Sequence, residues 1–213
     1  MTLQIGVVSQ KGGVGKSTIA RLIAREYAVA GWDVKIADLD IAQATSTNWK
    51  QRREQNGIQP EIAVEPFRTV SQALKHASVY DLIVFDGKPH SNRETLEITR
   101  VCDLIVLPTG LSLDDLVPSV LLAYELVEAD IPKDKIVFAL CRVGDRDNEI
   151  DEARTYIHKA GYATLSGSIP EKTAYRRASD VGKAISEISF LTLKQRAEEV
   201  AQSIIDRLSQ KDS

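Results

Sequence analysis

Apolar residues fall in short, nearly unbroken runs at 3–8, 33–38, 80–86, 102–107 and 136–141, and each run predicts a β-strand. Runs that do not alternate with polar residues suit a sheet covered on both faces. Between them, apolar positions return at helical spacing. Ile19 to Ala30 predicts a helix ended by Gly31, residues 42–54 a second, and Val70 to Ala77 a third. A polar stretch around Asn56-Gly57 leads to a short strand at Glu61 to Val64. Ser112 to Ala129 predicts a long helix interrupted or kinked near Pro118, and Glu149 to Ala160 a shorter one closed by Gly161. From Thr192 to Leu208, one stripe of Leu193, Ala197, Val200, Ile204 and Leu208 predicts a helix packed on the body. Strand and helix alternate, which predicts an α/β fold: a doubly wound, mainly parallel sheet with helices on both faces.

Composition narrows the picture. With 213 residues and 43% hydrophobic content, one core is expected, giving a single domain over 1–208 and a frayed polar tail at 209–213. No internal repeat or low-complexity segment interrupts it. A net charge of −3 excludes nucleic-acid binding through bulk positive charge, so any such contact must come from a local patch. Cys102 and Cys141 sit in apolar segments without metal-ligand spacing, which points to buried, reduced thiols. The first strand begins at once, with no secretory pattern and no apolar run of membrane length, so the expectation is a cytoplasmic protein.

The chemistry is concentrated in three strand ends. Ser9-Gln10-Lys11-Gly12-Gly13-Val14-Gly15-Lys16-Ser17-Thr18 lies between a strand and a helix. Its glycines let backbone N–H groups close around phosphates, Lys16 supplies charge, and Ser17 offers a hydroxyl to Mg²⁺. This is a triphosphate cradle. The second strand ends in Asp38-Leu39-Asp40, where carboxylates face the crevice at the carboxyl edge of a parallel sheet. An ordinary strand-end cap is the alternative reading of Asp38. The third motif is Tyr80-Asp81-Leu82-Ile83-Val84-Phe85-Asp86-Gly87, an apolar strand delivering an acid, the Walker B arrangement. Asp86 is placed to hold Mg²⁺ through a water, with Ser17 as its direct protein ligand. Lys88 follows and fits either a phosphate or partner contact or a solvated loop, while His90 alone is weak evidence for acid–base chemistry. Phosphoryl transfer to water asks mainly for positioning and charge, so no nucleophile triad is needed.

Lys11-Gly12-Gly13-Val14-Gly15-Lys16-Ser17 resembles the deviant Walker A motif of the ParA/MinD ATPases, a P-loop NTPase family, and Asp38-Leu39-Asp40 resembles its Walker A′ motif. The resemblance spans nearly the whole chain, down to Ile169-Pro170, Tyr175-Arg176-Arg177-Ala178 and Gly182-Lys183. Two departures stand out: Ile41-Ala42-Gln43 where the family has Pro-Gln, and Lys88-Pro89-His90 after the Walker B acid. The resemblance implies that Lys11 crosses a dimer to the neighbour's nucleotide and that Asp40 orients the attacking water, with Asp38 supporting the metal shell. It places the adenine pocket at Leu140-Cys141-Arg142 and Ile169-Pro170-Glu171, making Arg142 and Pro170 base contacts, although Arg142 fits a surface ion pair as well.

Size and loop position look like the small plasmid-partition ParA proteins without a helix-turn-helix extension. That resemblance implies an ATP-Mg²⁺ homodimer, a weak ATPase stimulated by non-specific double-stranded DNA and a ParB-like centromere-binding protein, and residence on the nucleoid. Lys172, Arg176, Arg177, Lys183, Lys194 and Arg196 could form the local patch, or be ordinary solvated cations. Three alternatives stand beside this: a MinD-like membrane ATPase, a ParA-type positioner of a non-DNA cargo, and a metabolic kinase or synthetase. The C-terminal helix mixes acids with bases and has no aromatic anchor, so no membrane partner is expected.

Overall fold

The computed structural model describes residues 2–75, 77–89 and 92–209, so the readings of His90 and of the tail at 210–213 lie outside the described residues. Among the described residues, eight strands form one sheet: β1 (Leu3–Val7), β2 (Val34–Asp38), β3 (Ala63–Pro66), β4 (Leu82–Asp86), β5 (Leu104–Thr109), β6 (Ile136–Val143), β7 (Ala163–Thr164) and β8 (Ile169–Pro170). The order is β3-β2-β4-β1-β5-β6-β7, with β8 on β6 and each pair parallel. Every residue of β2, β4 and β5 is buried, which explains why their sequences are apolar without alternation.

Among the described residues, eight α-helices cover the sheet: α1 (Lys16–Val29), α2 (Thr45–Gln55), α3 (Val70–Leu74), α4 (Asn92–Val101), α5 (Leu113–Glu128), α6 (Asp147–Lys159), α7 (Thr173–Asp180) and α8 (Leu191–Ser209). One core layer joins Ile19, Leu22 and Ile23 of α1 to Trp49, Tyr175 and the α8 stripe of Ala197, Val200, Ile204 and Leu208. The other joins Val70, Ile98, Leu116, Leu126 and Ile157, from α3 to α6. Thus α1, α2, α7 and α8 lie on one face and α3 to α6 on the other. The doubly wound expectation holds. Because all strands run the same way, their carboxyl ends share one edge, and the order departs from central β1 in both directions, opening a crevice there.

Several boundaries differ from the sequence pattern for local reasons. α2 starts at Thr45 rather than 42 because the backbone N–H and hydroxyl of Thr47 both bond Asp38 Oδ2 at 2.9 Å, tying the first turn to the end of β2. α5 runs unbroken through Pro118; the lost bond falls on the carbonyl of exposed Asp114, which water can reach. β5 begins two residues later than its apolar run, so Cys102 precedes the strand while Cys141 lies within β6. Both thiols are free and buried, and burial pushes Cys141 up to about 12.

Candidate nucleotide site

The loop between β1 and α1 is held open by glycine. Gly13 and Gly15 have φ of 75° and 108°, a left-handed region that side chains avoid, and a Cβ on Gly15 would press on Cys141 at 3.2 Å. Lys16 folds back into this loop: its Nζ donates to Ser9 Oγ at 3.0 Å and to the Lys11 carbonyl at 3.1 Å. The ammonium is buried against neutral acceptors. Burial therefore lowers its pKa, while the more distant charges of Asp86 and Asp40 pull it back up. A buried cation with only neutral hydrogen-bond partners is a receptor for an anion, and the loop and the α1 N-terminus surround it with backbone N–H groups. These residues fit a triphosphate.

Next to the loop, β2 and β4 pair so that Asp38 stands opposite Asp86. Their roles separate by their partners. Asp38, fully buried, spends Oδ2 on Thr47 and Oδ1 on the Asp40 N–H at 3.2 Å, so it fixes the following turn. Asp86 Oδ2 accepts from Ser46 Oγ at 2.7 Å, and Ser17 also hydrogen-bonds the carboxylate. Burial raises the Asp86 pKa, opposed by Ser46, by Arg21 and by Ser17. A hydroxyl touching one buried carboxylate matches Mg²⁺, which takes one or two protein oxygens and fills its remaining positions with water and phosphate. Among the described residues no cluster of three or more His, Cys, Asp or Glu forms a self-sufficient metal cage. Asp40 lines the cleft and uses Oδ1 to accept from the Gln43 N–H at 3.2 Å; the turn closes with Ala44 at φ 46°.

The cleft has a volume of about 700 Å³, within the usual range for small-molecule sites. Gly12, Gly13, Gly15, Lys16, Ser17 and Thr18 line one end. Arg142 lines it too, at φ 55°, with its guanidinium paired to Glu171 at 3.2 Å; Pro170 is buried in β8 between Ile169 and Glu171, both of which face the cleft. Val14 packs into the protein beneath the loop.

Lys11 does not point at this cleft's centre. Its Nζ donates to Asp115 Oδ1 at 2.9 Å, and the side chain is 40% exposed. Lys88 is held by the first turn of α4 through Glu94 Oε2 at 2.8 Å. Of the six cations expected to form a basic patch, Lys172, Arg176, Arg177 and Lys183 line the cleft, whereas Lys194 and Arg196 belong to α8. Several are already engaged: Lys172 with Asp145 at 2.6 Å, Arg176 with Glu171 at 3.5 Å, Lys194 with Glu198 at 3.5 Å, and Arg196 with Ser168 Oγ at 2.8 Å. The patch is therefore less positive than a count of lysine and arginine suggests.

Three site residues carry no motif signal. Arg21, on α1, donates Nε to Ser46 Oγ at 3.2 Å and Nη1 to Ser179 Oγ at 2.9 Å; burial lowers its pKa to about 10. Ser46 in turn bonds Asp86, so a chain of contacts joins α1, α2, α7 and the end of β4. Asp115 is the third, through Lys11. The helical pattern predicts burial at position 21, where the sequence has a charge, and that mismatch is the available clue.

Comparison with known proteins agrees with this geometry. The chain is 18% identical to MinD of Pyrococcus horikoshii OT3 in complex with Mg-ADP, covering 100% of this chain and 99% of that one with a TM-score of 0.76. A candidate plasmid partition protein of Borrelia burgdorferi B31 bound to AMPPNP gives 18% identity, 97% and 100% coverage, and a TM-score of 0.74. A candidate replication protein A of Sinorhizobium fredii (strain NBRC 101917 / NGR234) is 30% identical over 111 residues, 52% of this chain but only 23% of that longer protein. Residues 5–185 match the CobQ/CobB/MinD/ParA nucleotide binding domain, and the chain belongs to that family.

Proposed function

We propose that this chain is a ParA-type ATPase that closes into a homodimer on ATP and Mg²⁺, binds double-stranded DNA without sequence preference, and segregates plasmid or chromosomal DNA with a ParB-like partner. The observation that carries the reading is a phosphate loop with two lysines in different settings. Lys16 is buried at the cradle, and Lys11 sits at its exposed rim on an ion pair that can be exchanged. The similarity to a partition protein and to a replication protein supports the DNA side of the reading.

In this scheme the N–H groups of residues 12–18 and the Lys16 ammonium grip the phosphates. Ser17 and Asp86 would hold Mg²⁺, which would supply positive charge to the phosphate oxygens, and Asp38 keeps the adjoining turn in place. Asp40 accepts a hydrogen bond from the attacking water, while Arg142, Pro170 and Glu171 border the base. Lys11 leaves Asp115 for the partner's nucleotide, so cleavage of the terminal phosphate weakens the dimer. The apolar stripe of α8 is spent in the core, which disfavours a membrane-inserting role, and none of the described helices is long and apolar enough to cross a membrane.

Size measurement with a non-hydrolysable ATP analogue tests the dimer: wild type is expected to double in mass, and Lys11→Ala to stay single while still binding nucleotide. A Lys11→Ala dimer, or a wild-type monomer at saturation, overturns the scheme. Co-sedimentation with random-sequence duplex tests the DNA step. Retention is expected with ATP, not ADP, falling steeply with salt, and joint loss of Arg177 and Lys183 is expected to flatten that slope. Equal retention in all nucleotide states would reject a nucleotide-timed DNA switch.

A further inference from the structure

Arg21 is a cation where the pattern of α1 calls for an apolar residue. It follows Ser17 by one helical turn on the same face of α1 and is only 5% exposed. A charge buried there costs more than an aliphatic side chain of similar size unless its hydrogen bonds are used. Nε donates to Ser46 Oγ at 3.2 Å and Nη1 to Ser179 Oγ at 2.9 Å, so both bonds go to hydroxyls rather than to a carboxylate. Nη2 is buried and unpaired among the described residues. The Trp49 ring, 5.6 Å from the guanidinium carbon, supplies a packing surface but no acceptor in its plane.

The choice of Ser46 as acceptor carries the argument. A serine hydroxyl has one hydrogen, and Ser46 donates it to Asp86 Oδ2 at 2.7 Å. Because the Nε–H of Arg21 arrives on a lone pair of the same oxygen, the hydroxyl is held in that rotation. Ser179, on α7, clamps the other side of the guanidinium and keeps Nε on Ser46. We propose that Arg21 is a positioning residue for the metal site: acting through Ser46, it fixes the rotation of the Asp86 carboxylate so that its other oxygen is presented to Mg²⁺ beside Ser17. The inference rests on the reading of Asp86 and Ser17 as the residues that hold Mg²⁺. It adds that their alignment is set from one turn deeper in α1, with α2 and α7 as the two points of attachment. Replacing either member of the Arg21–Ser46 contact leaves the phosphate loop and Lys16 untouched, so metal and phosphate binding can be told apart.

The test compares nucleotide affinity of the full chain with and without the metal. Calorimetric titration with a non-hydrolysable ATP analogue gives Kd in Mg²⁺ and in EDTA, and the ratio of the two is the gain that Mg²⁺ contributes. Arg21→Met keeps the bulk and removes the donors. It and Ser46→Ala are each expected to cut the gain about tenfold, with Kd in EDTA changed by less than about twofold. The double variant is expected to lose no more than the worse single one, because both substitutions remove the same contact. Equal weakening in Mg²⁺ and EDTA would make Arg21 a packing residue, and additive losses would separate it from Ser46; either result overturns the proposal. So does an unchanged gain in Ser46→Ala, the smaller substitution, which decides the matter should Arg21→Met lower the melting temperature. Asp86→Asn controls for the reading underneath and is expected to abolish the gain. A wild-type ratio near one, or an Asp86→Asn ratio equal to wild type, would take Mg²⁺ away from Asp86 and remove the reading together with the inference. Loss of the gain in Asp86→Asn alone, with none in the Arg21 and Ser46 variants, overturns the inference and leaves the reading standing.

Discussion

Replacing Lys16 by Ala is expected to lower ATP affinity by about a hundredfold or more while leaving the folded protein intact. The ammonium donates to two neutral oxygens in the free chain, so its removal unpairs no carboxylate. Each hydrogen bond from a cation to a phosphate oxygen contributes roughly 1.5–3 kcal/mol, and two such bonds lost correspond to about two powers of ten or more in Kd. Burial lowers the Lys16 pKa without a ligand, and an incoming phosphate raises it again, so nucleotide binding is expected to take up protons on the alkaline side. Calorimetric titration with a non-hydrolysable analogue, alongside a thermal melt of the free variant, separates the outcomes. Unchanged affinity would take the triphosphate away from this loop; a collapsed melt would make Lys16 a structural residue.

The largest effect on stability is expected at Arg53. This guanidinium is 2% exposed and bonds in every direction: Nη1 and Nη2 to the two oxygens of Glu187 at 2.6 and 3.0 Å, Nε to the Pro60 carbonyl, and Nη1 to the Gly182 carbonyl. It also lies over the Trp49 ring at 5.2 Å. Glu187 returns a bond from the Ala184 N–H at 2.7 Å, so one ion pair fastens α2 to the turn that follows α7. Arg53→Ala leaves the Glu187 carboxylate with the Ala184 N–H and, at 3.8 Å, the Arg25 guanidinium as its remaining partners, and opens a space beside the tryptophan. Breaking such a pair costs about 3–5 kcal/mol, a large share of the roughly 5–15 kcal/mol that keeps a domain folded. For a chain of this size the melting temperature is expected to fall by about 6–20 °C. Joint Arg53→Met and Glu187→Leu is expected to recover much of it, because a well-packed apolar pair needs no counter-ion. A loss under about 1 kcal/mol in Arg53→Ala would show the pair to be solvated.

Much of the architecture was legible in the chain because β1, β2, β4, β5 and β6 are apolar enough to be read one by one, and the glycine loop and strand-end acids carry their chemistry in plain spacing. α4 and α2 were harder to read. The buried face of α4 is Glu94, Thr95, Ile98 and Thr99, and that of α2 is Ser46, Trp49 and Arg53, so neither shows an apolar stripe. α2 is buried through hydrogen bonds and an ion pair to distant segments, which a local pattern cannot display, whereas α4 turns one apolar residue, Ile98, into the core and pairs Glu94 with nearby Lys88. The same reason hid Arg21, Ser46 and Asp115, whose significance exists only once α1, α2, α5 and α7 are brought together. The charge of the basic patch also depends on contacts that the sequence does not display. Spacing along the chain shows the cations, but their carboxylate neighbours Asp145 and Glu171 arrive from β6 and β8 or the loops that leave them.

The alignment of Asp38 with Asp86 has a bearing on how the sheet finds its own register. Strands greasy on both sides can slide by a residue with little loss, since every position offers the neighbour another aliphatic group. The terminal acids remove that freedom: a β4 shifted by one residue would drag the Asp86 carboxylate inward to a place opposite Ala37 or push it away from Ser46. The groups that do the chemistry thus act as end stops for assembly, and a chain whose strands are misaligned would lack both its reactive edge and the reason to stay folded.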